Sequence, residues 1–179
     1  VGKDQKQHVE MTRDMARSVN HQMKEDLFVI PESKISEDLM TIPGTDGRKM
    51  SKSYGNVIDI FLPEKKLRKQ IMGIVTDSTP MEEPKNPDTC NAFALYSLLA
   101  ADEQVAEMRQ NYVGGNYGYG HAKQALFELI IEEFKEERMR FDSLMENPAE
   151  IERLLLAGAE KAKPVADEVL NRFKVAIGY

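Results

Sequence analysis

Arg48-Lys49-Met50-Ser51-Lys52-Ser53 carries the densest chemistry in this 179-residue chain: three cations within five positions, beside two hydroxyls. The segment opens with Pro43-Gly44-Thr45-Asp46-Gly47 and closes with Tyr54-Gly55-Asn56. Ammonium and guanidinium groups pair with phosphate oxygens, and flanking glycines let a backbone reorganise, so the composition suits an arm that closes on a polyphosphate. It equally suits a solvated basic turn, and the residues alone leave both readings open. A second polar group, Gly2-Lys3-Asp4, stands before the stripe Val9, Thr12, Met15, Ala16, Val19 and Met23. That spacing predicts a helix over residues 2–23, whose free N-terminal N–H groups would favour phosphate or hydroxyl oxygens. Asp4 there is also an ordinary first-turn acid. His8 has no metal partner spaced near it and reads as a packed or locally hydrogen-bonded residue.

The elements that must position these groups are legible in the apolar pattern. Residues 27–30 (Leu-Phe-Val-Ile), cut off by Pro31, predict a short buried strand, and residues 38–42 a weaker second one. Both precede loops, which in an open α/β sheet would set the basic segment at strand ends, where ligands bind. From Pro63 onward the pattern is helical: Leu67, Ile71, Ile74 and Val75 form a stripe opposite Lys65, Lys66, Arg68 and Lys69, four cations read as a solvated face ahead of an RNA-facing patch. Residues 79–88, with Pro80, Pro84 and Pro87, read as a loop or linker. Helix resumes through Phe93, Leu95, Leu98 and Leu99, then Val105, Met108 and Tyr112. The Gly/Tyr turn at 113–120 is expected to pack against neighbouring helices rather than stack on bases. Residues 121–146 predict one helix ended by Asn147-Pro148. A last helical stretch starts at Ile151, is interrupted by a C-cap at Gly158, and restarts with Pro164 in its first turns. The expected fold class is α/β: the remnant of an α/β catalytic domain over residues 1–62, a connecting helix and linker over 63–88, and a helical domain over 89–179.

Composition narrows the function classes. With 41% hydrophobic residues the chain can bury a real core. A net charge of -6 argues against coating nucleic acid by bulk electrostatics, so any RNA contact must be local. The one cysteine, Cys90, has no CxxC or Cys/His cluster beside it, which fits a reducing cytoplasm. No run approaches the roughly 18 apolar residues of a membrane span, and no metal-ligand cluster is spaced along the chain.

Lys49 to Ser53 reads KMSKS and resembles the signature loop of class I aminoacyl-tRNA synthetases. Val1-Gly2-Lys3-Asp4-Gln5, continued by Lys6-Gln7-His8-Val9-Glu10-Met11-Thr12-Arg13-Asp14-Met15-Ala16, resembles the VGxDQxQHxExTRDxA segment of the tryptophanyl-tRNA synthetases. The tyrosyl relatives share the GxDQ core and differ in the residues after it. The likeness extends through Val75-Thr76-Asp77-Ser78, Tyr117-Gly118-Tyr119-Gly120 with Lys123, and Gly158-Ala159-Glu160-Lys161-Ala162. The resemblance implies a Rossmann-like catalytic domain, ATP and Mg²⁺ as cofactors, tryptophan and tRNA(Trp) as substrates, a homodimer, and a cytoplasmic location. It implies that Gly2, Lys3, Asp4, Leu39, Lys49, Met50, Ser51, Lys52 and Ser53 line the ATP site, that Val1 and Gln5 border the tryptophan pocket, and that Lys49 and Lys52 are the catalytic cations. The loop 43–48 is about one residue longer than in the better-known members, which bears on Leu39. The family's N-terminal half has no counterpart before Val1, so the expectation is a C-terminal part that does not form the adenylate alone. A tyrosyl-type synthetase, another class I nucleotidyltransferase, and an isolated tRNA-binding helical module are the alternatives.

Overall fold

The computed structural model describes residues 1–2, 5–35 and 42–179. The chain divides into two compact units, one made of Val1–Thr41 and Leu144–Tyr179, the other of Ile42–Ser143. In the first unit, the helix expected over residues 2–23 is α1 (Lys6–Met23); of the expected stripe Ala16 is buried, Val9, Val19 and Met23 are half-buried, and Thr12 and Met15 are exposed. It stops at Lys24, which turns left-handed (φ 53°) and returns its N–H to the carbonyls of Asn20 and His21. His8 is exposed and its Nδ1 lies 2.9 Å from Gln5 Oε1, the local hydrogen bond expected of it.

The α/β expectation is overturned. Among the described residues there is no strand, and the β-type pairing present is one isolated antiparallel bridge between Pro43 and Lys49. Residues 27–30 show why. A strand exists only by pairing its N–H and C=O groups with a neighbour, and here the Asn20 side chain takes that neighbour's place. Phe28 N donates to Asn20 Oδ1 at 3.0 Å, and Asn20 Nδ2 donates to the Phe28 carbonyl at 2.8 Å. Leu27 and Val29 would share one face of a strand, yet Leu27 is buried and Val29 is 91% exposed, so the run is not covered as a buried strand would be. Phe28 turns its ring to Phe173, 5.7 Å between centroids. Of the second strand candidate, residues 38–41 lie outside the described residues.

Helix α7 (Pro148–Ala176) corrects a second expectation. Asn147 caps it by accepting from Glu150 N, with Pro148 in the first turn, where its missing N–H costs nothing. Gly158 does not end the helix; it is an exposed helical residue with open space about it. Pro164 sits in the interior and forgoes the bond to the preceding turn while the helix runs on around it.

The second unit holds the core. Helices α2 (Glu64–Met72), α3 (Asn91–Ser97), α4 (Asp102–Gly114) and α5 (Tyr119–Glu133) bring together Leu67, Ile71, Phe93, Tyr96, Met108, Tyr112, Leu126 and Ile130. Ala92 and Ala122, both fully buried, let the helices approach closely. Lys65, Lys66, Arg68 and Lys69 all stay exposed. Tyr112 is the hub of an aromatic cluster with Phe93, Tyr117 and Tyr119 at centroid distances of 5.5, 5.8 and 6.1 Å. The Gly/Tyr turn therefore packs inward. The Tyr112 hydroxyl lies 3.3 Å from Cys90 Sγ, and burial pushes its pKa far up.

The loop over 77–85 is closed by a buried ammonium. Lys85, 3% exposed, donates to the carbonyls of Pro80, Met81 and Glu83 at 2.7, 3.2 and 3.0 Å. Gly115 must be glycine here: its φ is +74° and an added Cβ would stand 2.6 Å from the Glu82 carbonyl oxygen. The helix predicted over 121–146 is in fact two, α5 and α6 (Lys135–Glu146), broken at Phe134 (φ -103°, ψ 21°). Past the break, Arg138 turns its guanidinium onto the carbonyls of Ile60 and Leu62, and Phe141 stacks on Phe61 at 4.6 Å.

Candidate functional site

The basic loop is shaped by its own backbone. Met50 N donates to the Ile42 carbonyl at 2.9 Å and Gly44 N to the Arg48 carbonyl at 2.7 Å, flanking the Pro43–Lys49 bridge. The turn between them is closed by Gly47 N to the Gly44 carbonyl at 3.0 Å, with Gly47 at φ +81°. After Met50 the chain makes a single 3₁₀ turn, Lys52–Tyr54, ended by Gly55 in the left-handed region at φ +66°. Two further bonds fasten the loop to the helical core: Asn91 Nδ2 donates to the Gly44 carbonyl at 2.6 Å, and Val75 N to the Thr45 carbonyl at 2.8 Å. The loop is thus held by a bridge, by Asn91 of α3 and by the segment after α2, rather than at the end of a strand.

Side chains sort the charges. Met50 is partly buried against the core, while Lys49, Lys52 and Ser53 are exposed. Ser51 and Ser53 join hydroxyls at 2.8 Å. Arg48 folds back: its Nε and Nη2 reach Asp46 Oδ2 at 2.7 and 2.6 Å, and its guanidinium lies 4.9 Å from the Tyr54 ring centre. Asp46 also accepts from Asn56 Nδ2 at 2.7 Å and Arg48 N at 3.0 Å. These donors, Asn56 first and then Arg48, hold its carboxyl down at about 2, so it stays ionised and neutralises Arg48. Beside Lys52, an open depression of about 550 Å³ is lined by Gly55, Val57, Ile58, Asp59, Ile60 and Gln70.

The other expected site residues belong to the first unit. Val1 is exposed and its amino group donates to the Lys34 carbonyl at 2.7 Å. Gly2 accepts from Gln5 N at 2.9 Å in the turn leading into α1. Lys3, Asp4 and Leu39 lie outside the described residues. Two residues to which sequence reasoning assigns no role, Asp46 and Asn56, organise the loop; the signal for them is an Asx residue beside a glycine at each end of the motif.

The model of a known family, "tRNA synthetases class I (W and Y)", matches residues 1–135. The chain belongs to that family. A tryptophan--tRNA ligase of Fusobacterium nucleatum is 46% identical over 178 residues, 99% of this chain and 54% of the relative. One of Pseudomonas aeruginosa is 47% identical over 180 residues, 99% of this chain and 40% of the relative. The crystal structure of the Campylobacter jejuni tryptophanyl-tRNA synthetase complexed with ADP and tryptophan superposes with a TM-score of 0.85 at 44% identity, over all of this chain and 56% of that one. The chain spans about half the length of these relatives, and within this class I family its similarity runs to the tryptophan members.

Proposed function

We propose that this chain is part of a tryptophan--tRNA ligase, which joins tryptophan to tRNA(Trp) through a tryptophanyl adenylate made from ATP. The observation that carries the reading is the basic loop: two exposed lysines at its turn, an apolar anchor at Met50, and an Arg48 already neutralised by Asp46. In the first step the tryptophan carboxylate attacks the α-phosphate and pyrophosphate departs, so negative charge grows on the leaving group. Ammonium groups aimed there act mainly in the transition state. In this reading Lys49 and Lys52 supply those cations, Ser51 and Ser53 donate from their hydroxyls, and Gly2, Lys3, Asp4 and Leu39 complete the ATP site. Val1 and Gln5 border the tryptophan. In the second step the terminal ribose hydroxyl of the tRNA attacks the carbonyl carbon of the adenylate, forming the ester as the bond to phosphate breaks and AMP leaves. Mg²⁺ enters as the companion of the nucleotide phosphates.

The reading extends to the whole protein as a cytoplasmic homodimer; no helix among the described residues is long and apolar enough to cross a membrane. The identity to tryptophan--tRNA ligases favours tryptophan over tyrosine as substrate. The test is amino-acid-dependent pyrophosphate exchange by the intact protein. Exchange should require tryptophan and not tyrosine. Lys52→Ala should lower its kcat by about 10²- to 10³-fold, the cost of one lost transition-state donor, with the KM for tryptophan little changed. A rate within a few-fold of wild type would remove Lys52 from the chemistry, and exchange driven by tyrosine would reassign the substrate.

A further inference from the structure

We infer that Asn56 is the positioning residue of the basic loop, fixing the backbone on both sides of Met50 so that Lys49 and Lys52 meet a polyphosphate in one arrangement. The inference rests on the phosphate-binding reading of that loop. Asn56 is 2% exposed, and its side-chain amide is fully engaged. One N–H goes to Asp46 Oδ1 at 2.7 Å and the other to the Lys49 carbonyl at 3.0 Å, while Oδ1 accepts from Ser51 N at 2.8 Å. Its backbone carbonyl accepts from Thr45 N at 2.9 Å. One residue therefore grips both arms of the hairpin and the peptide groups just before and just after Met50.

The chemistry of the grip is specific to an amide. A carboxylate in the same place keeps the shape and the acceptor for Ser51 N, but it has no donor for the Lys49 carbonyl and sets a second negative charge against Asp46. Gly44 shows how close the fit is: a Cβ there would stand 2.3 Å from Asn56 Cγ and Nδ2. Asp46, seated by Asn56, in turn draws Arg48 back from the turn. Asn56 orients the peptide group of Lys49 directly and that of Lys52 across one residue. Donors already oriented toward a developing charge need no reorganisation when it appears, and that is the contribution a positioning residue makes.

The test measures tryptophan-dependent pyrophosphate exchange by the intact protein for Asn56→Asp, Asn56→Ala, Lys52→Ala and the Asn56→Ala/Lys52→Ala double variant, with thermal melts alongside. Misplacing a catalytic group by about 1 Å costs about 10²-fold, so Asn56→Asp should lower kcat by about 10- to 100-fold while the KM for tryptophan stays within about twofold. If Asn56 acts through the lysines, its loss should cost clearly less in the Lys52→Ala background than in the wild-type background, because only Lys49 is left to misplace, a non-additivity that a purely structural residue would not give. Asn56→Asp at the wild-type rate with Lys52→Ala slow overturns this inference and leaves the function standing. Multiplicative losses in the double variant overturn it too, and a wild-type rate for Lys52→Ala overturns the phosphate reading itself. Should Asn56→Asp and Asn56→Ala melt below the assay temperature, Asn56→Ser, which keeps one donor and an acceptor, carries the same comparison, and an unmoved rate there overturns the inference.

Discussion

At the scale of single residues, the loop depends on one carboxylate and one amide that carry no substrate-facing charge. Asp46 accepts from Asn56 and Arg48 at once, and its carboxyl is held at about 2 against an ordinary value of 3.8. Because the folded value is the lower one, the stabilisation is fully present above pH 3.8 and is lost as pH falls through about 2. The prediction compares wild type with Asp46→Asn. The wild-type advantage in unfolding free energy should be largest at neutral pH and should shrink progressively between about pH 4 and pH 2, read by denaturant melts at each pH. A difference that stays constant across that window would mean the Asn56 and Arg48 bonds do not favour the ionised form. Lys85 is the counterpart in the neighbouring loop, an ammonium buried among three carbonyls that substitutes for backbone pairing where three prolines interrupt the chain.

At the scale of elements, α2 and α5 carry the mechanical load beneath the loop. Leu67 and Ile71 on α2 are fully buried, Leu126 and Ile130 on α5 nearly so, and Lys123 of α5 donates to the Met72 carbonyl at the end of α2 at 3.2 Å. Arg68 of α2 answers with a bond to Gln124 of α5 at 2.9 Å. Truncating a buried leucine removes its transfer free energy and leaves a cavity, so Leu126→Ala should destabilise the chain by about 2–5 kcal/mol. Chemical denaturation monitored by circular dichroism checks it. A loss below about 1 kcal/mol would mean that the site collapses around the gap and that α5 is not tightly packed there. Gln70, also on α2, reaches past the loop's exit: its Nε2 donates to the Val57 carbonyl at 2.5 Å, and Asp59 N donates to its Oε1 at 3.0 Å. The helix that fills the core thus also aligns the segment leaving the loop.

At the scale of the whole molecule, burial is unevenly shared between the two units. The core cluster lies within Ile42–Ser143, whereas α7 has no buried residue and exposes Leu155, Leu156, Val165 and Val175. Backbone amides exchange slowly where opening must break buried contacts and quickly where it need not. Hydrogen exchange on this chain should therefore find its slowest amides in α2 and α5 and its fastest helical amides in α7, flanking Pro164. Equal protection in α7 and α5 would contradict a core carried by one unit.

What is local was legible in the residues alone. The helical period of α1, the apolar spacing of α2 and α5, the break at Asn147-Pro148 and the lysine–serine loop between glycines all follow from residue type and period, because helix formation and turn chemistry act over a few residues. The residues also carried the family, since KMSKS and the segment after Val1 are long patterns of particular side chains. Which group satisfies each backbone polar atom was settled instead by the packing of distant segments. Residues 27–30 have the composition of a strand, but a strand is defined by its partner, and Asn20 from α1 fills that role in its place. Gly158 and Pro164 are local stop signals that 29 residues of helix outlast, while the break at Phe134, which has no local signal, sits where Arg138 turns to Ile60 and Leu62. Asn56 makes the same point at the site. Nothing in its type reveals that its two N–H groups face Asp46 and Lys49, ten and seven positions away, because that meeting exists only once the hairpin has closed.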